Sequence, residues 1–170
     1  MKIIEALKKI KYLTTKASDY RQKISLYAAD MDFDQPPFPD MKGKVSELLQ
    51  GHADIIKEIC SLKHRVQKTN CLHNLTIELN NTQVTKTLYE WIQRRRELSA
   101  LELSAWNQLS DKGLSDKQYQ QTTGAIGMIK MRRYYDPAEK AKKVDQLKYE
   151  PVAIDAALEM ANCTVDLLEN

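Results

Sequence analysis

The chain has 170 residues, 29% of them charged, with 26 lysines and arginines against 23 aspartates and glutamates. A net charge of +3 excludes a uniformly basic face for bulk nucleic acid, because counterion release needs a contiguous patch of cations. No apolar run approaches the roughly 18 residues of a membrane span, no signal-peptide core follows Met1, and Cys60, Cys71 and Cys163 are odd in number and widely spaced, so the expectation is a cytoplasmic protein without a disulfide framework, in the host cytoplasm if phage-encoded.

At this length one domain, 1–170, is expected. A first helix is predicted over about 2–29, with Ile3, Leu7, Ile10, Leu13, Ala17, Tyr20, Ile24 and Tyr27 along one seam at spacings of three and four. Asp30 to Met41 holds three prolines and four aspartates and breaks the pattern; Phe33 and Phe38 are expected to pin it as an ordered connection. A second helix over about 42–73 carries Val45, Leu48, His52, Ile55, Ile59, Leu62, Val66 and Thr69 or Asn70, and pairs antiparallel with the first. Residues 75–79 and 83–86 read as a hairpin around Asn80-Asn81, since asparagine tolerates positive φ.

A third helix is predicted over about 87–109, opened by the capping box Thr87-Leu88-Tyr89-Glu90, with Trp91, Leu98, Leu101, Ala105 and Leu109 inward. Residues 126–135 alternate like a strand and are expected to add to the hairpin as a third member. Asp136-Pro137 starts a helix over about 137–149, Pro151 interrupts or restarts it, and a last helix over about 152–169 carries Ile154, Leu158, Ala161, Val165 and Leu168. The fold class is therefore mainly α: a long antiparallel helical hairpin or coiled-coil bundle with a small β-hairpin or three-stranded antiparallel sheet.

The chemistry sits in the arginines. Five of the seven fall in two clusters, Arg94-Arg95-Arg96 and Arg132-Arg133, and the second is followed by Tyr134-Tyr135. Guanidinium forks match phosphate and carboxylate, so an anion site is the natural hypothesis. Arg95, four residues after Trp91, falls on the inward seam and needs either a ligand or an internal carboxylate such as Glu102, while Arg94 and Arg96 point to solvent. Arg132 with Tyr134 and Arg133 with Tyr135 lie on opposite strand faces, so only one pair can enter a site; the plainer alternative is a charged edge strand. The cysteines read as small packing residues. No histidine pair has zinc spacing, and no nucleophile motif, phosphate loop or dinucleotide fingerprint occurs, so no catalytic residue, metal or cofactor is expected.

Met1-Lys2-x-x-Glu5-Ala6-Leu7, Thr69-Asn70, the hairpin, Arg94-Arg95-Arg96 and Ala161-Asn162-Cys163-Thr164 leading to Leu167-Leu168-Glu169 together resemble the septicolysin-like family of small bacterial and phage helical proteins. The resemblance spans nearly the whole chain and implies a mainly helical fold with a small β element. Thr69 and Asn70, with Asn162 and Thr164 from the last helix, are expected beside Arg95 and Trp91 as the polar edge of a pocket, or alternatively as helix caps and core hydrogen bonds.

These features predict a non-enzymatic homo-oligomer that captures a small anionic, nucleotide-like ligand. In general design it is similar to phage anti-defence sponges for cyclic-nucleotide or ADP-ribose immune signals. The alternative is a structural or adaptor homo-oligomeric coiled-coil scaffold without a small-molecule ligand, and phosphodiesterase-like turnover is a third possibility. Neither bulk nucleic acid nor a membrane is an expected partner.

Overall fold

A computed structural model of the chain describes residues 1–32, 34–111 and 133–169. It is mainly α with a small antiparallel β-hairpin, and it divides into two compact units. The first comprises residues 1–74, 87–89 and 159–170, and the second comprises residues 75–86 and 90–158.

In the first unit, α1 (Ile3–Tyr27) and α2 (Met41–Leu72) form a helical hairpin. Lys9 pairs with Glu58 at 2.6 Å, and the ring of Tyr20 rests against Gly51, so residue numbers rise on one helix as they fall on the other. The approach at Gly51 is close enough that a Cβ there would lie 2.6 Å from Tyr20 Cε1. Leu13, Ala17, Ile55 and Leu62 form the core of this pair. The expected α2 seam is the observed one, with Leu48, Ile55, Leu62, Thr69 and Asn70 all buried. On α1 the buried line runs through Ile3, Ala6, Leu13 and Ala17, and Leu7, about 100° around the helix from Ala6, is 43% exposed instead.

The Pro-rich connection is pinned by Phe38, whose ring meets Tyr27 edge-on with centroids 5.4 Å apart, while Phe33 lies outside the described residues. Asp40 caps α2, its Oδ1 accepting from the Gly43 amide at 2.8 Å. At the other end of the unit the chain leaves its last helix at Thr164 and becomes extended. Ile3 N–H donates to Val165 C=O at 3.1 Å and Leu167 N–H to Met1 C=O at 2.8 Å. An extended segment has period two, so after Val165 it is Leu167 that turns inward, 5% exposed, and not the Leu168 expected of a helix running to 169.

The second unit is built on β1 (Asn74–Leu79, from Leu75 onward) and β2 (Thr82–Thr87), joined by Asn80 and Asn81 at φ 53° and 63°. Two successive left-handed residues give the turn whose twist suits a two-residue hairpin, as the Asn-Asn pair predicts. The Thr76 and Thr85 hydroxyls meet across the strands at 2.7 Å. Then come α3 (Leu88–Gln93), a π-turn (Arg94–Leu98) and α4 (Ser99–Gln108). Ile77, Trp91 and Ile154 form the core, with Leu75, Val84 and Leu158 packed around them.

The predicted strand over 126–135 lies largely outside the described residues, and Arg133 to Asp136 are not strand. Asp136 caps the next helix, accepting from the Ala138 amide at 2.8 Å. That helix, α5, runs unbroken from Pro137 to Thr164 in place of the two predicted over 137–149 and 152–169. Pro151 removes one backbone donor, a cost of about 3 kcal/mol in an isolated helix. Leu147 and Ile154, seven residues apart and 6% and 0% exposed, anchor the same face on either side of it, which holds the helix together through the proline. The three cysteines are exposed and free, so they are not packing residues. No described helix is long and apolar enough to cross a membrane.

Candidate functional site

The π-turn governs the arginine cluster. The Ser99 amide donates to the Arg94 carbonyl, five residues back, so one extra residue is accommodated between α3 and α4. Every position after it is displaced by one against an α-helical reading. The inward residue after Trp91 is accordingly Ser99, 2% exposed, in place of Leu98, and Leu98 and Leu101 are 45% and 58% exposed. Regular periodicity places Arg95 inward and its neighbours in solvent; in the structure Arg94 and Arg95 exchange these roles and Arg96 stays exposed.

Arg94 is the inward guanidinium. Its Nε and Nη2 donate to the two oxygens of Glu150 at 2.6 and 2.9 Å, and Nη2 lies 2.6 Å from Glu102 Oε2. The Glu150 side chain retains only 9% of its exposure, and two carboxylates hold Arg94 well above the usual arginine range, the hydrogen bond to Glu150 contributing most. Arg95 faces outward and pairs with Asp155 at 2.7 Å; Glu102 belongs to Arg94. Arg96 is exposed, with no carboxylate partner among the described residues.

The second cluster is likewise matched within the chain. Arg133 donates from Nε and Nη2 to Asp111, and the Tyr135 hydroxyl donates to the same carboxylate at 3.2 Å. The predicted pairing of Arg133 with Tyr135 therefore occurs, around a carboxylate of the chain itself. Tyr134 is 89% exposed, and Arg132 lies outside the described residues.

Trp91 is fully buried, its indole N–H donating to Leu75 C=O at 2.9 Å, so it offers no ring face to a ligand. The remaining expected site residues belong to the first unit, where two hydroxyls serve the backbone. Thr69 Oγ1 donates to Arg65 C=O at 2.8 Å and accepts from the Leu168 amide at 3.0 Å. Thr164 Oγ1 donates to Met160 C=O at 2.9 Å. Asn70 is buried and Asn162 half-buried. Arg95, Trp91, Arg133, Tyr134 and Tyr135 fall in the second unit, so the expected set is divided between the two.

One cavity lined by described residues of the second unit has a volume of about 410 Å³ and lies against the hairpin turn, Arg94, Glu102 and the Lys143–Glu150 stretch of α5. Of its lining, sequence periodicity flagged neither Lys143 nor Glu150. Glu150 carried a readable signal: it sits three residues after Leu147 and four before Ile154, an acid on an apolar seam, which requires a cation. Among the described residues no group of histidine, cysteine or carboxylate side chains is placed to hold a metal ion.

A family model described as a family of unknown function (DUF6847) matches residues 37–167. Among solved structures, the chain is similar to a functionally unknown conserved protein from Corynebacterium diphtheriae, with 21% identity over 99% of each chain and a TM-score of 0.56, a likeness of fold. No curated protein matches the sequence.

Proposed function

The chain belongs to the DUF6847 family, and we propose that it is a helical scaffold or adaptor that pairs with a second copy of itself through one flank of the α1–α2 hairpin. The supporting observation is the asymmetry of that hairpin. Measured from Ile55 on the core line, Glu58 lies about 60° to one side of α2 and Ile56 about 100° to the other. The Glu58 side is closed by the ion pair to Lys9. The opposite side carries Leu49, Ala53, Ile56 and Cys60, spaced four, three and four, and all exposed. Thr14, Ala17, Ser18, Arg21 and His52 line a groove of about 330 Å³ between the two helices. An apolar stripe with heptad-like spacing next to a core seam suits a four-helix layer made from two hairpins.

The described arginines that motivate anion capture are already engaged, apart from Arg96: Arg94 by Glu150 and Glu102, Arg95 by Asp155, and Arg133 by Asp111. A phosphate arriving at any of the three would have to displace a carboxylate of the same chain.

Light scattering on the purified protein tests the proposal. The expected result is a dimer or higher oligomer that Leu49→Asp with Ile56→Asp reduces to a folded monomer. A wild-type monomer at about 100 μM, a concentration that saturates ordinary specific association, overturns it. Calorimetry with cyclic nucleotides and ADP-ribose supplies the competing outcome: binding abolished by Arg133→Ala favours nucleotide capture.

A further inference from the structure

We propose that the cavity of the second unit binds a small zwitterion, a molecule carrying both an ammonium and a carboxylate group, such as a free amino acid. The inference rests on how charge is distributed around it. Arg94 touches both Glu102 and Glu150, and the three sum to one net negative charge. Glu150 spends both oxygens on Arg94, so its part is to fix the guanidinium. It also neutralises Arg94 by itself.

Glu102 is therefore surplus to the ion pair. It uses one oxygen on Arg94, keeps the other free among the described residues, and retains 41% side-chain exposure at the cavity. At this half-exposed position the second oxygen of Glu102 is open to a further cation.

Lys143 lines the same cavity, and no described carboxylate lies within 4.0 Å of its ammonium. The cavity thus has a net-negative wall at Glu102 and, at Lys143, a cation without a carboxylate partner among the described residues. A free phosphate would satisfy Lys143 and meet repulsion at Glu102; a simple cation would do the reverse. A zwitterion satisfies both, its ammonium at Glu102 and its carboxylate at Lys143.

The remaining walls suit the body of such a molecule. Asn80, Thr82 and Gln146 offer amide and hydroxyl groups, and Leu79, Val84 and Leu147 supply apolar surface. A volume of about 410 Å³ leaves room for a side chain beyond the α-carbon substituents.

Calorimetry of the full chain with the free L-amino acids, one at a time, alongside inorganic phosphate and AMP, tests the assignment. At least one amino acid is expected to bind, with affinity falling about tenfold or more in both Glu102→Gln and Lys143→Met, since each removes a charged hydrogen bond. Lys143 is exposed and Glu102 half-exposed, and unchanged circular dichroism melts of the two variants would show that the fold is intact. Three results overturn the proposal: no amino acid binding at about 10 mM, well above any specific affinity; binding indifferent to both substitutions; or phosphate or AMP binding more tightly than every amino acid. The cavity does not depend on hairpin pairing, so a monomer that binds an amino acid would sink the scaffold reading and leave this one standing.

Discussion

Arg133 grips Asp111 through two guanidinium nitrogens, Nε at 3.0 Å and Nη2 at 2.6 Å, while the Tyr135 hydroxyl reaches the same carboxylate. The contact joins residues 22 apart in sequence, and Lys140 adds a bond from Nζ to the Leu109 carbonyl at 2.7 Å. The hydrogen bonds from Arg133 hold the Asp111 carboxyl below the usual carboxylate range, with Tyr135 reinforcing them. A depressed folded-state pKa contributes stability that is present above the unfolded value and is lost as pH falls through the folded one. Arg133→Gln should therefore raise the Asp111 pKa toward its ordinary value in a carbon-detected NMR titration. It should also flatten stability against pH below about pH 4, where aspartate ordinarily titrates. An unmoved Asp111 titration would mean that the pair does not persist in solution.

Removing Arg94 should be far more damaging than removing Arg95. Arg94→Met leaves Glu150 buried without its cation, and breaking a pair of this kind costs about 3 kcal/mol. Arg95→Met, at an exposed pair, should leave the melting temperature close to wild type. Urea denaturation of the two variants compares them directly; equal losses would contradict the exchange of roles between neighbouring arginines.

Thr69→Val keeps the shape of the side chain and removes its oxygen. The Leu168 amide then loses its acceptor, at a cost of about 1–2 kcal/mol for a part-buried group. Amide hydrogen exchange should quicken first at Leu167 and Leu168, with the centre of the α1–α2 hairpin unaffected.

Deleting Arg96 tests the π-turn as an insertion. An α-helix across 91–99 with one residue fewer returns Ser99 to the face of Trp91, so the downstream burial pattern survives. The melting temperature of the deletion variant should equal or exceed that of the wild type. A loss of several degrees, which corresponds to about 1 kcal/mol in a protein of this size, would show that the turn stabilises the fold.

The α1–α2 hairpin was legible because its seam is long, regular and buried: every α2 position from Val45 to Asn70 read as inward is buried or half-buried. The arginines were misassigned for one local reason. A π-turn adds a residue without a glycine, proline or change of hydrophobicity to mark it, and Arg94-Arg95-Arg96 presents the same chemistry in every register. Pro151 misled in the opposite direction, since a local rule gave way to burial of Leu147 and Ile154 on either side. Lys143 lies on an exposed, highly charged stretch of α5, where nothing in the periodicity separates it from Lys140, Lys142 and Lys148.

The strand-like pairing of Lys2 with Asp166 has a consequence for how the molecule is made. Beside it the Lys2 ammonium donates to the Asp166 carboxylate across 164 residues, and the Leu168 amide donates to Thr69 across 99. During synthesis α1 and α2 emerge early and can pair at once, yet the backbone groups at their shared end find partners only when Val165 and Leu167 arrive. Until Val165 and Leu167 arrive, the hairpin is paired along its length but unsealed at this end.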